Sequence, residues 1–269
     1  MLRWNVEIVL VTLTLVVFAD ACTRKRHQAL LVAGSTTVAP VLREVSKAFH
    51  KSNPEMNITV EGGGSTAAVV ALRNRAVDIA ALSRDLHKSE ENVDNFARPF
   101  AVEGLAVIVH PSNTLEGLKA DVLARIITGT IKDWAEVAGA AGPIHVVLEQ
   151  AEGMSRSAIN DLILKGDEVS AAGIVLASQT KVRDRIAADP LAIGLVTLPL
   201  AGKGVRMVSL NGVMPSVATV LSGRYPLSRT FFLIQGRNQS DVANKFIGFL
   251  QHGDARLILS KFGLIPVMR

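Results

Sequence analysis

Leu30-Leu31-Val32-Ala33-Gly34-Ser35-Thr36-Thr37-Val38-Ala39-Pro40 contains an apolar run, a glycine, three hydroxyl residues and the start of a new periodicity. Val38, Val41, Leu42, Val45 and Phe49 recur at steps of three and four, which marks the buried face of a helix. Ser35 or Thr36 is a suitable N-cap, and Pro40 is acceptable in a first turn. The stretch therefore predicts a strand, a tight loop and a helix N-terminus that exposes hydroxyls. Unpaired N–H groups and a partial positive charge at such a terminus suit an anion, although a plain Ser/Thr cap accounts for the same residues.

The same device recurs downstream. Ile58-Thr59-Val60 reads as a second strand that runs into Glu61-Gly62-Gly63-Gly64-Ser65-Thr66 and a helix through Val69, Val70 and Leu72. Asp78-Ile79-Ala80-Ala81-Leu82 reads as a buried strand ending in Ser83-Arg84-Asp85. Leu105 to Val109 predicts a strand closed by His110-Pro111, and Ile144 to Leu148 another, leading to a polar turn at Glu149 to Arg156 and a helix through Ile159, Leu162 and Ile163. Helices are expected around 119–127, 179–188, 241–250 and 255–261, and strands around 193–196, 205–208 and 231–234. Alternating strands and helices give the α/β class, in which ligands bind beyond the carboxyl ends of the strands. Hydroxyl turns in two groups, before residue 85 and after 149, suggest two lobes facing a shared cleft.

The chain has 269 residues, 49% hydrophobic and 20% charged, enough for one large core or two smaller ones. Arg3, a largely apolar run from Ile8 to Ala19 and small residues before Cys22 predict a signal peptide over 1–21. Cys22 is the single cysteine, so no disulfide forms within the chain. Its position resembles a lipoprotein acylation site, although Ala19 and Asp20 depart from the usual lipobox. Residues 22–29, with Arg24-Lys25-Arg26, read as a solvated tether at the membrane, which places the protein in the periplasm or cell envelope. The formal charge of +5 rises to +6 without residues 1–21, which carry one Arg, one Glu and one Asp. The remaining Lys and Arg are scattered with few aromatics among them, a pattern that speaks against nucleic acid as partner. A mild positive field steers small anions.

Gly34 to Pro40, Gly62-Gly63-Gly64-Ser65, and Asp78-Ile79-Ala80 followed by Ser83-Arg84 together resemble the phosphate-binding proteins of ABC importers, the PstS-like branch of the periplasmic binding proteins. Thr128-Gly129 with Trp134, Ile193-Gly194, Asn211-Gly212-Val213 with Pro215, Tyr225-Pro226-Leu227 and Gly263-Leu264-Ile265-Pro266 follow in the family's order. The resemblance covers about residues 30–267. It implies a two-lobed type II fold, each lobe a mainly parallel sheet flanked by helices, with 30–108 and 226–269 in lobe 1 and 109–225 in lobe 2. It also implies a monomeric, non-enzymatic solute-binding protein without a cofactor. Such a protein would hold inorganic phosphate or a similar tetrahedral oxyanion in the cleft and present it to a membrane permease. Carried over residue by residue, the ligand groups are Ser35, Thr36 and Thr37, then Gly64 and Ser65, then Ser83 and Arg84, with Ser155 and Arg156 from the second lobe. The family's arginine before a "GSGT" turn is replaced by Glu149, and Ala151 to Ser155 matches the "AEGxS" version of that turn. Any departure from phosphate is expected to originate there.

Hydroxyls and N–H groups at several helix starts can surround an oxyanion, each charge-assisted bond being worth about 1.5–3 kcal/mol. Arg84 or Arg156 would add a bidentate clamp. Phosphate keeps a proton at neutral pH, so an acceptor carboxylate helps, with Asp85, Glu149 and Glu152 as candidates. Three other readings compete. Gly62-x-Gly64-x-x-Ala67 fits the short dinucleotide fingerprint, but the match stands alone and an exported protein has little access to nicotinamide cofactors. A hydrolase lacks a Gly-x-Ser-x-Gly elbow and a His partner for Ser35 or Ser65. An anchored sensing or adhesion module would use the same lobes without uptake. The six histidines show no paired spacing, so no metal site is expected.

Overall fold

The run from Leu30 forms β1 (Gln28–Gly34), followed by α1 (Ala39–Ser52), β2 (Met56–Gly62), α2 (Ser65–Arg73) and β3 (Ile79–Leu82). A computed structural model describes residues 28–90, 96–137, 141–170, 172–202, 204–236, 240–251 and 253–267. The leader, the tether up to residue 27 and Cys22 lie outside the described residues. The chain continues through β4 (Phe96–Val109), β5 (Gly117–Leu118), α3 (Ala120–Ile127), β6 (His145–Glu149), α4 (Met154–Ile159), β7 (Ile174–Leu176) and α5 (Gln179–Ala187). It ends with β8 (Ala192–Thr197), β9 (Arg206–Leu210), α6 (Val217–Leu221), β10 (Ser228–Gln235), α7 (Asp241–Phe249), α8 (Gly253–Lys261) and β11 (Ile265–Pro266).

The strands run in the order β2-β1-β3-β10-β4-β8-β6-β7, with β9 and β11 also paired to β4. β2, β1 and β3 are parallel, as are β8, β6 and β7, while β10 and β4 lie antiparallel between the two sets. β4 is one continuous strand that changes partners: residues up to Gly104 pair with β10, and Leu105 to Val109 pair with β8. One core lies on the first set, where α1 buries Val41, Leu42, Val45 and Phe49 against β1, α7 and α8. A second core, around Leu105, Leu123, Ile126, Trp134 and Ile159, lies on the other set. Fully burying each such side chain stabilises the fold by about 1.5–3 kcal/mol. Two halves therefore meet along β4 and β10.

Two local details differ from the sequence reading. Neither Ser35 nor Thr36 caps α1, whose N-cap is Val38 with no side-chain bond. The Ser35 carbonyl accepts from both Val38 N and Ala39 N, and the Ser35 hydroxyl accepts from Thr37 N at 3.2 Å, so a tight turn closes before the helix begins. The helix expected through Leu162 and Ile163 ends as α-helix at Ile159, gives way to a π-helical turn over Asn160–Leu164, and stops at Lys165 in the left-handed region (φ 50°).

The register of the first three strands sets the geometry of the cleft. Gly34 pairs with Gly62 on one side and Ala81 on the other, so all three strands end at one level. That level requires glycine: a Cβ on Gly34 would lie 2.7 Å from the Ala81 carbonyl oxygen and 2.8 Å from its Cβ. Gly34→Ala is expected to cost about 1–3 kcal/mol through overpacking. In urea denaturation, Gly63→Ala serves as its control, because a Cβ there meets nothing within 4 Å.

Candidate ligand-binding cleft

Because the strand ends are level, Ser35, Ser65 and Ser83 converge. The Ser83 hydroxyl donates to Ser35 Oγ at 3.0 Å, and the Ser83 N–H donates to Ser65 Oγ at 3.3 Å. With Thr37 N–H also donating to it, Ser35 Oγ has both lone pairs occupied and keeps its own proton to give. Ser65 likewise accepts from the protein and retains a donor. α2 starts beside them after Gly64 (φ 94°), and no side chain caps it. Its first-turn N–H groups have no intrahelical acceptor and carry the positive end of the helix dipole.

These groups line one wall of a cleft of about 880 Å³ between the two halves. Thr36, Thr37, Thr66, Arg84 and Asp85 belong to the same wall. Ser157, Asn160, Asp161 and Lys165 form the opposite wall, and Ser228, Arg229 and Thr230 the floor. Thr37 Oγ1 and Ser157 Oγ hydrogen-bond across the gap at 2.9 Å.

Arg84 faces the cleft with its guanidinium already committed. Its two terminal nitrogens donate to the Glu90 carboxylate at 2.7 and 2.9 Å, and further bonds run to Thr66 Oγ1 and the Asp85 carbonyl. The Arg84 hydrogen bonds, helped by the His87 N–H and opposed by burial, hold the Glu90 carboxyl at about 2 against an ordinary 4.5.

The second-half turn is organised around an internal carboxylate. Glu149, at the end of β6, folds back so that Oε2 accepts from Ser155 N at 3.1 Å and Ser155 Oγ at 2.7 Å. Ser155 is fully buried as a result. Gly153 makes this possible, since a Cβ there would sit 2.2 Å from the Glu149 carboxyl carbon. Arg156 turns along its own helix, with Nε donating to Asn160 Oδ1 at 3.4 Å. Glu149 and Glu152 border a neighbouring hollow of about 310 Å³ that shares Thr36 and Thr37 with the cleft and is also lined by Met154, Gln179 and Phe262. Of the residues singled out from sequence, Ser35, Thr36, Thr37, Ser65, Ser83, Arg84 and Asp85 are thus brought together. Gly64 is the N-cap of α2, Glu149 and Glu152 line the neighbouring hollow with Thr36 and Thr37, and Ser155 and Arg156 bond to Glu149 and Asn160 of their own half.

Sequence reasoning gave no role to the charges on the floor. Arg229 on β10 and Glu103 on β4 are directly opposite in register and pair at 2.6 Å, both side chains being 5% exposed or less. Arg229 also donates to Asp161 Oδ2 at 2.6 Å and lies 5.4 Å above the Phe231 ring. Burial pushes the Glu103 carboxyl up; Arg229 opposes this, and the nearby Glu149 and Asp161 charges add to it. The available signal was Glu103 inside the apolar run Phe100 to Val109, and Arg229 two residues before the apolar run Phe231 to Ile234.

A PBP superfamily domain model matches residues 19–253. The chain belongs to the PBP superfamily. "Phosphate-binding protein PstS" of Borreliella burgdorferi is 27% identical over 248 residues, covering 88% of this chain and 89% of that protein. "Phosphate-binding protein PstS" of Bacillus subtilis is 29% identical over 249 residues, covering 90% and 82%. Among solved structures, an ABC-type phosphate transport receptor from Vibrio cholerae is similar with a TM-score of 0.73 at 27% identity, covering 88% of this chain and 99% of that one. In this PBP domain, among the described residues, no helix is long and apolar enough to cross a membrane, and no group of three or more His, Cys, Asp or Glu is placed to hold a metal ion.

The Arg84–Glu90 pair gives a pH signature. A carboxyl depressed from 4.5 to about 2 contributes stability that is complete above 4.5 and is lost as pH falls towards 2. Melting temperatures measured across that window should fall more steeply for the native protein than for Glu90→Gln, which has no proton to take up.

Proposed function

We propose that this protein is the solute-binding receptor of an ABC importer, with inorganic phosphate or a closely similar tetrahedral oxyanion as its ligand. One observation carries the reading: serines at three level strand ends are tied together, the Ser83 hydroxyl donating to Ser35 Oγ and the Ser83 N–H to Ser65 Oγ, so that the Ser35 and Ser65 hydroxyls remain as donors beside an uncapped helix start in an interlobe cleft. The names of the relatives support phosphate in particular. The lobes are taken as residues 28–104 with 228–267, and 105–227. The ligand groups are Ser35, Thr36, Thr37, Ser65 and Ser83, with the first-turn N–H groups of α2. Closure of the lobes around the anion adds contacts from the second wall, and that difference in free energy shifts the open–closed balance. The closed form is then what a permease recognises. Export by the leader and acylation at Cys22 fit a receptor held at the membrane of the cell envelope. Acting as a receptor, the protein carries out no chemical step.

Calorimetric titration with phosphate, arsenate, sulfate and molybdate tests the assignment. Phosphate is expected to bind at micromolar concentration or below. Ser65→Ala removes a hydroxyl donor to a charged ligand and should weaken binding about tenfold or more. If no oxyanion binds below millimolar concentration, the assignment fails.

A further inference from the structure

Resting on the oxyanion reading above, we propose that Arg229 is the cation that holds the ligand, and that Asp161 is the group the ligand exchanges with on it. A multiply charged oxyanion enclosed between two lobes needs a fixed counter-charge. Among the described residues, Arg84, Lys165 and Arg229 are the cationic ones in the cleft walls and floor. Arg84 is neutralised by a two-pronged pair with Glu90. Lys165 is exposed and follows an irregular turn, so its ammonium is a solvated point charge.

Arg229 differs from both. Its Nε is pinned by Glu103, its Cζ lies 5.4 Å from the Phe231 ring centroid, and 7% of the residue is exposed. The outer edge of the guanidinium faces the cleft. There Nη1 donates to Asp161 Oδ2 at 2.6 Å and more loosely to Ser157 Oγ at 3.4 Å, while Nη2 has a long contact of 3.5 Å to the Met154 carbonyl. That edge is the fork which matches two oxygens of a phosphate. Its carboxylate occupant is the weaker holder: the Asp161 side chain is 57% exposed and sits on the π-helical turn rather than on α4. A half-solvated ion pair of this kind contributes little to stability and is readily exchanged.

Charge balance makes the exchange necessary. Glu103 stays buried beside Arg229, so one guanidinium cannot also hold Asp161 together with an arriving dianion. Asp161 belongs to the second wall and Arg229 to the floor. Exchange at Arg229 therefore alters how the second lobe is held at the same moment that the ligand binds.

Phosphate titration of the full-length native protein, Asp161→Asn, Arg229→Lys, Arg229→Gln and the double variant Glu103→Gln/Arg229→Gln tests this. Asp161→Asn removes the competing charge and should tighten phosphate binding about three- to tenfold, a gain that a purely structural Asp161 would not produce. Arg229→Lys keeps a charge without the fork and should weaken binding, by less than Arg229→Gln. Arg229→Gln leaves Glu103 buried without its counter-charge, so the double variant removes both charges together, and it should bind phosphate at least about tenfold more weakly while remaining folded by circular dichroism. Weaker binding by Asp161→Asn, or binding by the double variant within threefold of the native protein, overturns the proposal while the oxyanion reading stands. Absence of phosphate binding by the native protein overturns both.

Discussion

The approach of Gly34 to Ala81, close enough to leave no room for a Cβ, is the constraint on which the cleft depends. It lets β1 and β3 end at one level, and the parallel pairing of β1 with β2 brings Gly62 to the same height. Once the strand ends are level, the residues that follow them have little choice of direction. Ser35, Ser65 and Ser83 meet, and the bonds among them leave the Ser35 and Ser65 hydroxyls with protons to donate. A donor array of this kind needs no reorganisation when an anion arrives, because its own backbone and hydroxyl groups already fix each oxygen.

Electrostatics are divided differently between the two halves. In the first, the conspicuous arginine is spent on Glu90 and makes the turn after β3 rigid. In the second, Glu149 occupies the start of α4 and satisfies Ser155, so that turn supplies its own anion instead of awaiting one. Such a carboxylate near a helix N-terminus is favourable in itself. It also takes the Ser155 N–H and hydroxyl out of the set of groups open to a ligand. What the second half keeps for the cleft lies one turn further along, at Ser157, Asn160, Asp161 and Lys165.

Much of the fold was legible because its signals are local. The step of three and four after Val38 is α1, and the apolar runs ending in hydroxyl turns are β1, β2 and β3. The first wall of the cleft followed from the same turns. The short pieces were not legible: α6 and β7 carry too few residues for a period to show, and the first half of β4 has Arg98, Pro99 and Glu103 within it. Nor was the floor. Arg229 and Glu103 are 126 residues apart, and only strand register brings them face to face. The turn at Glu149 was recognised as altered, but the direction of its side chain depends on Gly153 lacking a Cβ, a steric fact that spacing alone does not reveal.

The chain passes between the halves along neighbouring strands, β4 at Gly104 and β10 at Ser228, and these two residues are paired with each other. Both covalent links therefore run side by side through one hydrogen-bonded ladder, with the short β11 laid on β4 at Val102. The hydrogen-bonded ladder resists sliding of one strand past the other, while the ribbon can still bend and twist. Movement of one half against the other is therefore concentrated in this ribbon, and Arg229 sits one residue along it from Ser228.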